Sequence, residues 1–251
     1  MKESVAMKTH YRELTPTEFR LRLAEAPIAY LPLGTLEWHG EHLPLGSDGL
    51  QSEGFMTRLA ERVGGVVLPM LFLGPDLAKD VGGKTYYGMD VHGFKGQAPQ
   101  QLDGSAYWVS DELFEQMLAA VLAQLARAGF RIVVGHGHGP STQTFASRID
   151  AWQQEFGLKL FTCWRDDEKD GLGIQTDHAA ANETSLMMAL HPHLVELENL
   201  SPDPNDWPVA VSGKDPRVYA SATVGQQAIA TQLDRMAAML TDALAEIRDN
   251  D

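Results

Sequence analysis

The sequence has almost no cysteine and no long apolar run. Cys163 is the only cysteine among 251 residues, which excludes an intrachain disulfide and a cysteine-rich zinc site. We expect it to be a small apolar residue near the end of a strand. No apolar run approaches the ~18 residues that a membrane-spanning helix requires, and residues 1–14 lack the apolar stretch of a signal peptide. The sequence therefore predicts a cytoplasmic protein without a membrane partner.

Positive charge is also scarce. The chain has 20 Lys and Arg against 34 Asp and Glu, a formal net charge of −14, and so acidic a surface repels the phosphate backbone of nucleic acids. Residues 135–139 read Gly-His-Gly-His-Gly, without the lysine of a phosphate-binding loop or the glycine spacing of a dinucleotide-binding turn. The Gly-x-Ser-x-Gly turn of serine hydrolases does not occur. We therefore expect neither a nucleic-acid partner nor nucleotide binding.

The sequence does contain a regular alternation of strand-like and helix-like segments. Hydrophobic residues make up 44% of the chain, enough for a substantial core. Because no repeat or Pro/Gly/Ser-rich linker divides it, we expect one domain over residues 1–251. The predicted strands are 28–34, 66–71, 130–134 and 158–164. The first predicted helix begins at Pro16 and ends before Pro27, and the others cover 50–63, 110–128, 141–156, 182–190 and 225–248. This order predicts an α/β layer fold with a mainly parallel sheet.

Two of these segments carry more detailed predictions. In helix 110–128, helical spacing predicts one buried face formed by Leu113, Met117, Ala120, Val121 and Leu125. Residues 74–107 are predicted to form a long glycine-rich loop. A loop of that length inside a compact domain is usually functional or partly mobile.

Polar residues that can bind metals follow three of the predicted strands. They are Glu37, His39, His42 and Asp48 after the first strand, His136 and His138 after the third, and Asp177, His178 and Glu183 after the fourth. Ligands of open parallel sheets bind outside the carboxyl ends of the strands, so we expect these residues at one edge. Carboxylates and imidazoles without cysteine suit zinc, manganese or iron. The alternative is that histidines collect by chance in polar surface loops.

The spacing of the first cluster supports the metal-binding interpretation. Glu37 and His39 are two residues apart, so in an extended chain both point to the same side. Asp48 can reach the same region, and its two carboxylate oxygens can bridge two metal ions.

Three motifs resemble those of the creatininase (creatinine amidohydrolase) family. The first is Leu31-Pro32-Leu33-Gly34, followed by Glu37-x-His39-Gly40-x-His42-Leu43-Pro44-Leu45-Gly46-x-Asp48. The second, Gly137-His138-Gly139, resembles the central Asn-Gly-His-Gly-Gly-Asn segment of the family, with His136 in place of the first Asn and Pro140-Ser141 departing at the end. The third, His178-Ala-x-x-x-Glu183-Thr184-Ser185, resembles its late His-Ala-Gly-x-x-Glu-Thr-Ser segment. The motifs stand in family order, whereas residues 74–107 match little of the family pattern.

This resemblance implies a three-layer α/β/α sandwich with two divalent metal ions per chain. By family analogy, Glu37 and His138 would bind one ion, His39 and Glu183 the other, and Asp48 would bridge them. His178 would shuttle a proton or orient the substrate. The family also implies a homo-oligomer, commonly a hexamer.

The function that these observations predict is a metal-dependent amidohydrolase acting on a small amide, cyclic or formyl. A metal-activated water would attack the carbonyl carbon, and His178 or Asp177 would pass a proton to the leaving nitrogen. An unperturbed histidine titrates near pH ~6.5, which suits that role. His42 is predicted to orient its loop rather than bind metal. Two alternatives stay open: a non-catalytic ligand-binding or assembly protein of the same fold, and another metal-assisted reaction such as isomerisation or elimination.

Two departures from the family pattern concern the substrate. Creatininase proper has an acidic residue two positions after the histidine of the middle motif, and here that position is Pro140. We therefore expect poor turnover of creatinine. Within 74–107, Tyr86, Tyr87 and His92 are predicted either to contact a substrate with a flat or apolar part or to make subunit contacts.

Overall fold

The computed structural model describes residues 8–94, 96–164 and 171–250. Its strands are β1 (Ile28–Leu33), β2 (Val66–Val67), β3 (Ala78–Val81), β4 (Lys84–Tyr87), β5 (Ile132–Gly137) and β6 (Lys159–Phe161). Its α-helices are α1 (Pro16–Glu25), α2 (Ser47–Val63), α3 (Met89–His92), α4 (Asp111–Ala128), α5 (Gly139–Ser147), α6 (Ile149–Phe156), α7 (Ala181–Leu190), α8 (Pro216–Tyr219) and α9 (Ala222–Asn250). No helix within these described ranges is long and apolar enough to cross a membrane.

A parallel sheet in the order β2-β1-β5-β6 forms the centre of the described structure. All six residues of β1 are buried. Parallel strands covered on both faces read as continuous apolar runs rather than alternating ones, which is why β1 reads Ile-Ala-Tyr-Leu-Pro-Leu. Its register with β5 pairs Ile28 with Ile132 and Leu33 with Gly137, so the two strands end at the same edge.

Helices cover both faces of this sheet. On one face, Tyr30 of β1 belongs to a cluster with Phe55 of α2 and with residues of α7 and α9. On the other face, Val133 of β5 packs in a cluster with Phe114 of α4 and Trp152 of α6. Neighbouring strand residues serve opposite faces because side chains alternate along a strand. The predicted three-layer α/β/α sandwich with a mainly parallel sheet is confirmed.

Of the five residues on the predicted buried face of α4, only Leu125 is buried, so that face is misplaced. The buried residues of this helix are Phe114, Leu118, Leu122 and Leu125, whereas Leu113 is 47% exposed. Apolar residues surround most of α4, so helical spacing alone allows more than one buried face. Packing against the sheet selects the face that carries Phe114. Both predicted ends are present: the Ser110 side chain accepts a hydrogen bond from the Leu113 N–H, and Gly129 ends the helix with a left-handed φ of 97°.

Several predicted boundaries also differ from the structure. The helix predicted over 141–156 is two helices, α5 and α6, separated at Arg148. The strands predicted over 66–71 and 158–164 shorten to Val66–Val67 and Lys159–Phe161. The strand predicted over 130–134 is instead Ile132–Gly137. It therefore includes His136, which the sequence pattern predicts to lie in the following loop.

Residues 74–107 are not simply a loop. They contain the antiparallel hairpin of β3 and β4 and the single turn of α3. Gly82 and Gly83 connect the hairpin with φ values of 60° and 80°, the positive values that a two-residue hairpin turn requires. Cys163 is buried in the core, as predicted.

Candidate metal centre

Five residues predicted to bind metal converge at the carboxyl edge of the sheet. Glu37 and His39 follow β1, Asp48 lies in the first turn of α2, His138 follows β5, and Glu183 lies in the first turn of α7. All five are at most 3% exposed. The chain folds this way because β1 and β5 are paired over their full length and so deliver their following residues to the same place.

A glycine makes the close approach of β5 to β1 possible. The His138 N–H donates to the Leu33 carbonyl at 2.7 Å. Gly137 has a φ of 154°, and a Cβ placed there would lie 1.7 Å from the Leu33 oxygen. Only glycine fits this position. The close contact that glycine allows holds His138 beside the end of β1.

The first group of potential ligand atoms comes from Glu37, Asp48 and His138, whose ligand atoms all lie within 4.8 Å of one another. His138 Nδ1 lies 3.0 Å from Asp48 Oδ2 and 3.5 Å from Glu37 Oε2. Its other ring nitrogen, Nε2, donates to the Pro75 carbonyl at 3.1 Å. Such a bond fixes the ring and leaves Nδ1 as the ligand atom.

The second group comes from His39, Asp48 and Glu183, again within 4.8 Å of one another. His39 Nε2 lies 3.4 Å from Asp48 Oδ1 and 3.6 Å from Glu183 Oε2. His39 Nδ1 donates to the Glu37 carbonyl at 3.0 Å, while Nε2 makes no hydrogen bond to any described residue. An unpartnered, buried imidazole nitrogen that faces two carboxylates is a potential metal ligand.

The two groups share Asp48, and each uses a different oxygen of its carboxylate. Oδ1 faces His39, and Oδ2 faces His138. Three carboxylates and two imidazoles arranged in this way can hold two divalent cations with Asp48 between them. A third grouping, of Glu37, His39 and His178, also has ligand atoms within 4.8 Å, so His178 is a further potential ligand.

Burial and the close approach of charged groups shift the pKa values of this cluster. Burial raises the pKa of Glu37 to about 8, and burial with the nearby Asp48 raises that of Glu183 well above its usual value. Burial alone would lower the pKa of His39. The negative charges of Asp48 and Glu183 outweigh burial and raise this pKa to about 10. Burial would also raise the pKa of Asp48, yet the charges of His39 and His138 hold it well below its usual value. Ligands of these types release protons when a divalent cation binds, so metal binding at such a cluster depends on pH.

His178 and Asp177 lie beside this cluster and are both engaged in hydrogen bonds. His178 Nε2 donates to the Trp38 carbonyl at 2.9 Å, and its ring centroid lies 4.3 Å from that of His39. Burial, and then the charge of His39, lower the His178 pKa to about 3, so our expectation of ordinary titration near pH 6.5 is wrong. The Asp177 carboxylate accepts from the backbone N–H groups of Asn182 and Glu183 at 2.8 and 3.1 Å. These bonds hold the start of α7, while burial raises the pKa of Asp177.

Two histidines of the predicted clusters lie outside both ligand groups. His42 Nε2 and Thr184 Oγ1 are hydrogen-bonded at 2.9 Å, which links the loop after β1 to α7. His136 is fully buried within β5 and donates from Nε2 to the Ile174 carbonyl at 3.2 Å. Burial lowers its pKa to about 4. His136 lies within β5, whereas His138 lies just beyond its end.

A sequence model of the creatininase family, described as creatinine amidohydrolase, matches residues 12–249. The chain belongs to the creatininase family.

Relatives within and around this family differ in activity. Creatinine amidohydrolase of Pseudomonas putida is 29% identical over 213 residues, which cover 76% of this chain and 75% of that protein. A 3-dehydro-scyllo-inosose hydrolase of Thermotoga maritima is 26% identical over 204 residues, which cover 75% of this chain but only 58% of that protein. The solved structure of a mutant creatininase described as "Zn-Zn type" has a TM-score of 0.71 and 24% identity, covering 94% of this chain and 99% of that one. This last match shows that the two chains share the creatininase fold.

Two residues of this creatininase-family site were missed by the sequence analysis. Asp76 Oδ2 lies 3.5 Å from His138 Nε2, and burial raises the Asp76 pKa. Gln175 Nε2 donates to the Asp48 carbonyl at 3.0 Å and to Asp48 Oδ1 at 3.3 Å. Neither residue stands in a motif or directly after a strand, so no signal in the sequence singled it out.

Two adjoining cavities open beside the metal centre of this creatininase-family chain. One, of about 700 Å³, is lined by four of the five potential ligands, all except His39, and by Met89, His92, Trp207 and Val211. The other, of about 770 Å³, shares Asp76 and Pro140 with it and is lined by Tyr87 and Trp108, whose stacked rings have centroids 6.2 Å apart. Tyr87 and His92 of the predicted loop therefore face cavities. Tyr86 lines neither of these two; its ring lies under Lys84 Nζ, with 5.4 Å between Nζ and the ring centroid.

Proposed function

We propose that the protein is a metal-dependent amidohydrolase that cleaves the C–N bond of a small amide. One observation carries the proposal: five buried ligand residues divide into two groups that share the two oxygens of Asp48. Membership of the creatininase family supports the hydrolytic reaction. The similar fold of a creatininase described as "Zn-Zn type" supports a pair of metal ions.

In this proposal each ligand group holds one divalent cation, zinc, manganese or iron. Glu37 and His138 would hold the first, His39 and Glu183 would hold the second, and Asp48 would serve both. When bound, such a pair supplies Lewis acidity to a substrate carbonyl and makes a water molecule nucleophilic near neutral pH. The His138 and His39 rings are held by bonds to the Pro75 and Glu37 carbonyls, so the ligand atoms are fixed before any metal arrives.

The residues proposed to move protons are His178 and Asp177. Because His178 Nε2 is committed to the Trp38 carbonyl, Nδ1 is the ring atom left to take up a proton from the reaction. With a pKa of about 3, the ring would pass that proton on at once rather than retain it. Asp177 and His178 both line the cavity of about 700 Å³. There the Asp177 carboxylate oxygens can accept or return a proton while they hold the start of α7. The metal content of His178→Ala distinguishes the two possible roles of His178: both ions stay bound if it moves protons, and an ion is lost if it is a ligand.

The substrate is proposed to extend beyond the metal centre. The two adjoining cavities and the stacked rings of Tyr87 and Trp108 suit an amide with a flat or apolar part, because aromatic walls bind such surfaces. Pro140 lies between the cavities and supplies neither charge nor a backbone donor. Creatinine itself should therefore be a poor substrate.

The proposal is tested by metal analysis and a substrate panel. Gently purified protein should contain two transition-metal ions per chain, or take them up from added zinc or manganese. Metal-loaded protein should then hydrolyse at least one amide from a panel of formamides, lactams, small cyclic amides and creatinine. Metal binding without turnover of any amide would refute the amidohydrolase assignment.

A second candidate is a hydrolase of a carbocyclic substrate, favoured by the similarity to 3-dehydro-scyllo-inosose hydrolase. Adding that compound to the panel separates the two reactions. A non-catalytic role is disfavoured because all five ligand positions carry residues able to bind metal. The homo-oligomer implied by the family, with a hexamer as the first candidate, is likewise a proposal that light scattering tests.

A further inference from the structure

Residues 171–175, here called the strap, form neither helix nor strand but are held along their length by side chains. The Gly171 and Gly173 carbonyls accept from Asn182 Nδ2 at 3.1 and 3.0 Å. The Leu172 carbonyl accepts from Gln232 Nε2 at 2.7 Å, and the Ile174 carbonyl accepts from His136 Nε2 at 3.2 Å.

These four hydrogen bonds come from three side chains, one each on α7, α9 and β5. Buried backbone carbonyls need hydrogen-bond partners, and irregular segments usually find them in water or in neighbouring backbone. Here side chains from three directions satisfy four carbonyls in succession. The path of the strap is therefore specified by tertiary structure and not by its own local sequence.

The strap ends in a residue with an unfavourable backbone conformation. Gln175 is 8% exposed and has a φ of 57°, in the left-handed region that residues other than glycine rarely adopt. Such strain persists where surrounding contacts fix it and is common at functional sites.

Both ends of the Gln175 amide are used. The Asp48 carbonyl and carboxylate oxygens can only accept hydrogen bonds, so the amide nitrogen of Gln175 is the end that faces them. At the other end, Gln175 Oε1 lies 2.8 Å from Ser52 Oγ, whose single hydroxyl hydrogen it shares with the Asp48 carbonyl at 2.9 Å. Nε2 donates to the Asp48 carbonyl at 3.0 Å and to Asp48 Oδ1 at 3.3 Å. The side chain thus ties the backbone and the carboxylate of one residue together.

We propose that Gln175 is a positioning residue that fixes the rotation of the Asp48 carboxylate, with the strap as its support. The bond to Oδ1 keeps that oxygen toward His39 Nε2, at 3.4 Å, and the other oxygen toward His138 Nδ1, at 3.0 Å. A freely rotating carboxylate would serve one ligand group at the expense of the other. This inference rests on the proposed two-metal function, in which Asp48 serves both groups.

The test compares metal binding by the wild-type protein with that of Gln175→Leu, a variant of similar size that lacks the amide. Zinc affinity is measured by chelator competition. The visible spectrum of Co²⁺-loaded protein reports ligand geometry, and the electron paramagnetic resonance spectrum of Mn²⁺-loaded protein reports coupling between two ions through a shared bridge. We expect the affinity of at least one site to fall roughly 10- to 100-fold, as for other residues that orient metal ligands, together with a changed Co²⁺ spectrum and weaker Mn²⁺ coupling.

Two further variants separate positioning from stability. Gln153→Leu is the matched control, because Gln153 Oε1 accepts one backbone hydrogen bond, from Leu160, away from the site. It should lower thermal stability and leave both spectra unchanged. Gln175→Asn keeps an amide on a residue that tolerates positive φ better, but it is one methylene too short to reach Asp48 as glutamine does. It should reproduce the metal-binding defect even if Gln175→Leu folds poorly.

The outcomes distinguish this inference from the proposed function. If Gln175→Leu and Gln175→Asn bind both ions with wild-type affinity and spectra, the positioning role is refuted and the two-metal centre stands. If the wild-type protein itself binds no metal, the proposed function and this inference are both overturned.

Discussion

Asp48→Ala should be the most damaging single substitution at the metal centre. Asp48 is the residue shared by the group with Glu37 and His138 and the group with His39 and Glu183, the two groups proposed to bind the ions. Its removal takes a carboxylate oxygen from each group and leaves two cations with less negative charge between them. Both ions should therefore bind more weakly, whereas loss of any other ligand affects one group directly.

The magnitude follows from the distances. The carboxylate oxygens of Asp48 lie 3.0 and 3.4 Å from the ring nitrogens of His138 and His39. At such separations, a pair of unit charges interacts by about 5 kcal/mol at an effective dielectric constant of about 20, and desolvation offsets part of that. A net loss of about 2.7 kcal/mol lowers affinity about 100-fold and removes that much metal-linked stability at a fixed metal concentration. For a chain of this length, such a loss lowers Tm by roughly 5–10 °C.

The assay measures metal content and the change in Tm on adding zinc or manganese to chelator-treated protein. Asp150→Ala is the matched control, because Asp150 also lies in the first turn of a helix but belongs to neither ligand group. The control should behave as wild type. If Asp48→Ala retains two ions per chain and the full metal-induced rise in Tm, Asp48 does not bridge the ions.

Three further predictions concern other residues. His178→Ala should lower kcat with two metal ions still bound; loss of an ion on elemental analysis would instead make His178 a ligand. His42→Ala should keep metal content but lower unfolding stability by about 1 kcal/mol in denaturant titration, because it loses one hydrogen bond to Thr184, and wild-type stability would contradict this. The pKa of Glu18 is lowered from 4.5 to about 2, first by the backbone hydrogen bond from Thr15. Its contribution to stability is therefore present at neutral pH and lost as pH falls from about 4.5 to 2. Glu18→Gln should flatten the loss of stability in that interval, and an unchanged acid-unfolding profile would refute this.

Much of this protein could be predicted from local sequence patterns. Strands buried on both faces give continuous apolar runs, and helices give capping residues and glycine ends, so the α/β layers could be predicted without tertiary information. The five potential ligands could be predicted because each lies just after a strand or in the helical turn beyond it, and parallel pairing brings strand ends together. The pairing of Glu37 with His138 and of His39 with Glu183 came from family resemblance and stays a prediction. In the structure, Glu37 Oε2 lies 3.5 Å from His138 Nδ1, and Glu183 Oε2 lies 3.6 Å from His39 Nε2.

Tertiary structure decided what local patterns leave open. Apolar residues on several sides of α4 allow more than one buried face, and only contact with the sheet selected Phe114 over Leu113. His136 and His138 are two residues apart, yet one donates to the Ile174 carbonyl and the other faces two carboxylates. Gln175 reaches Asp48 although 127 residues separate them in the chain. Sequence patterns are short-ranged, whereas the hydrogen bonds and charges that orient a metal centre depend on which distant segments the folded chain brings together.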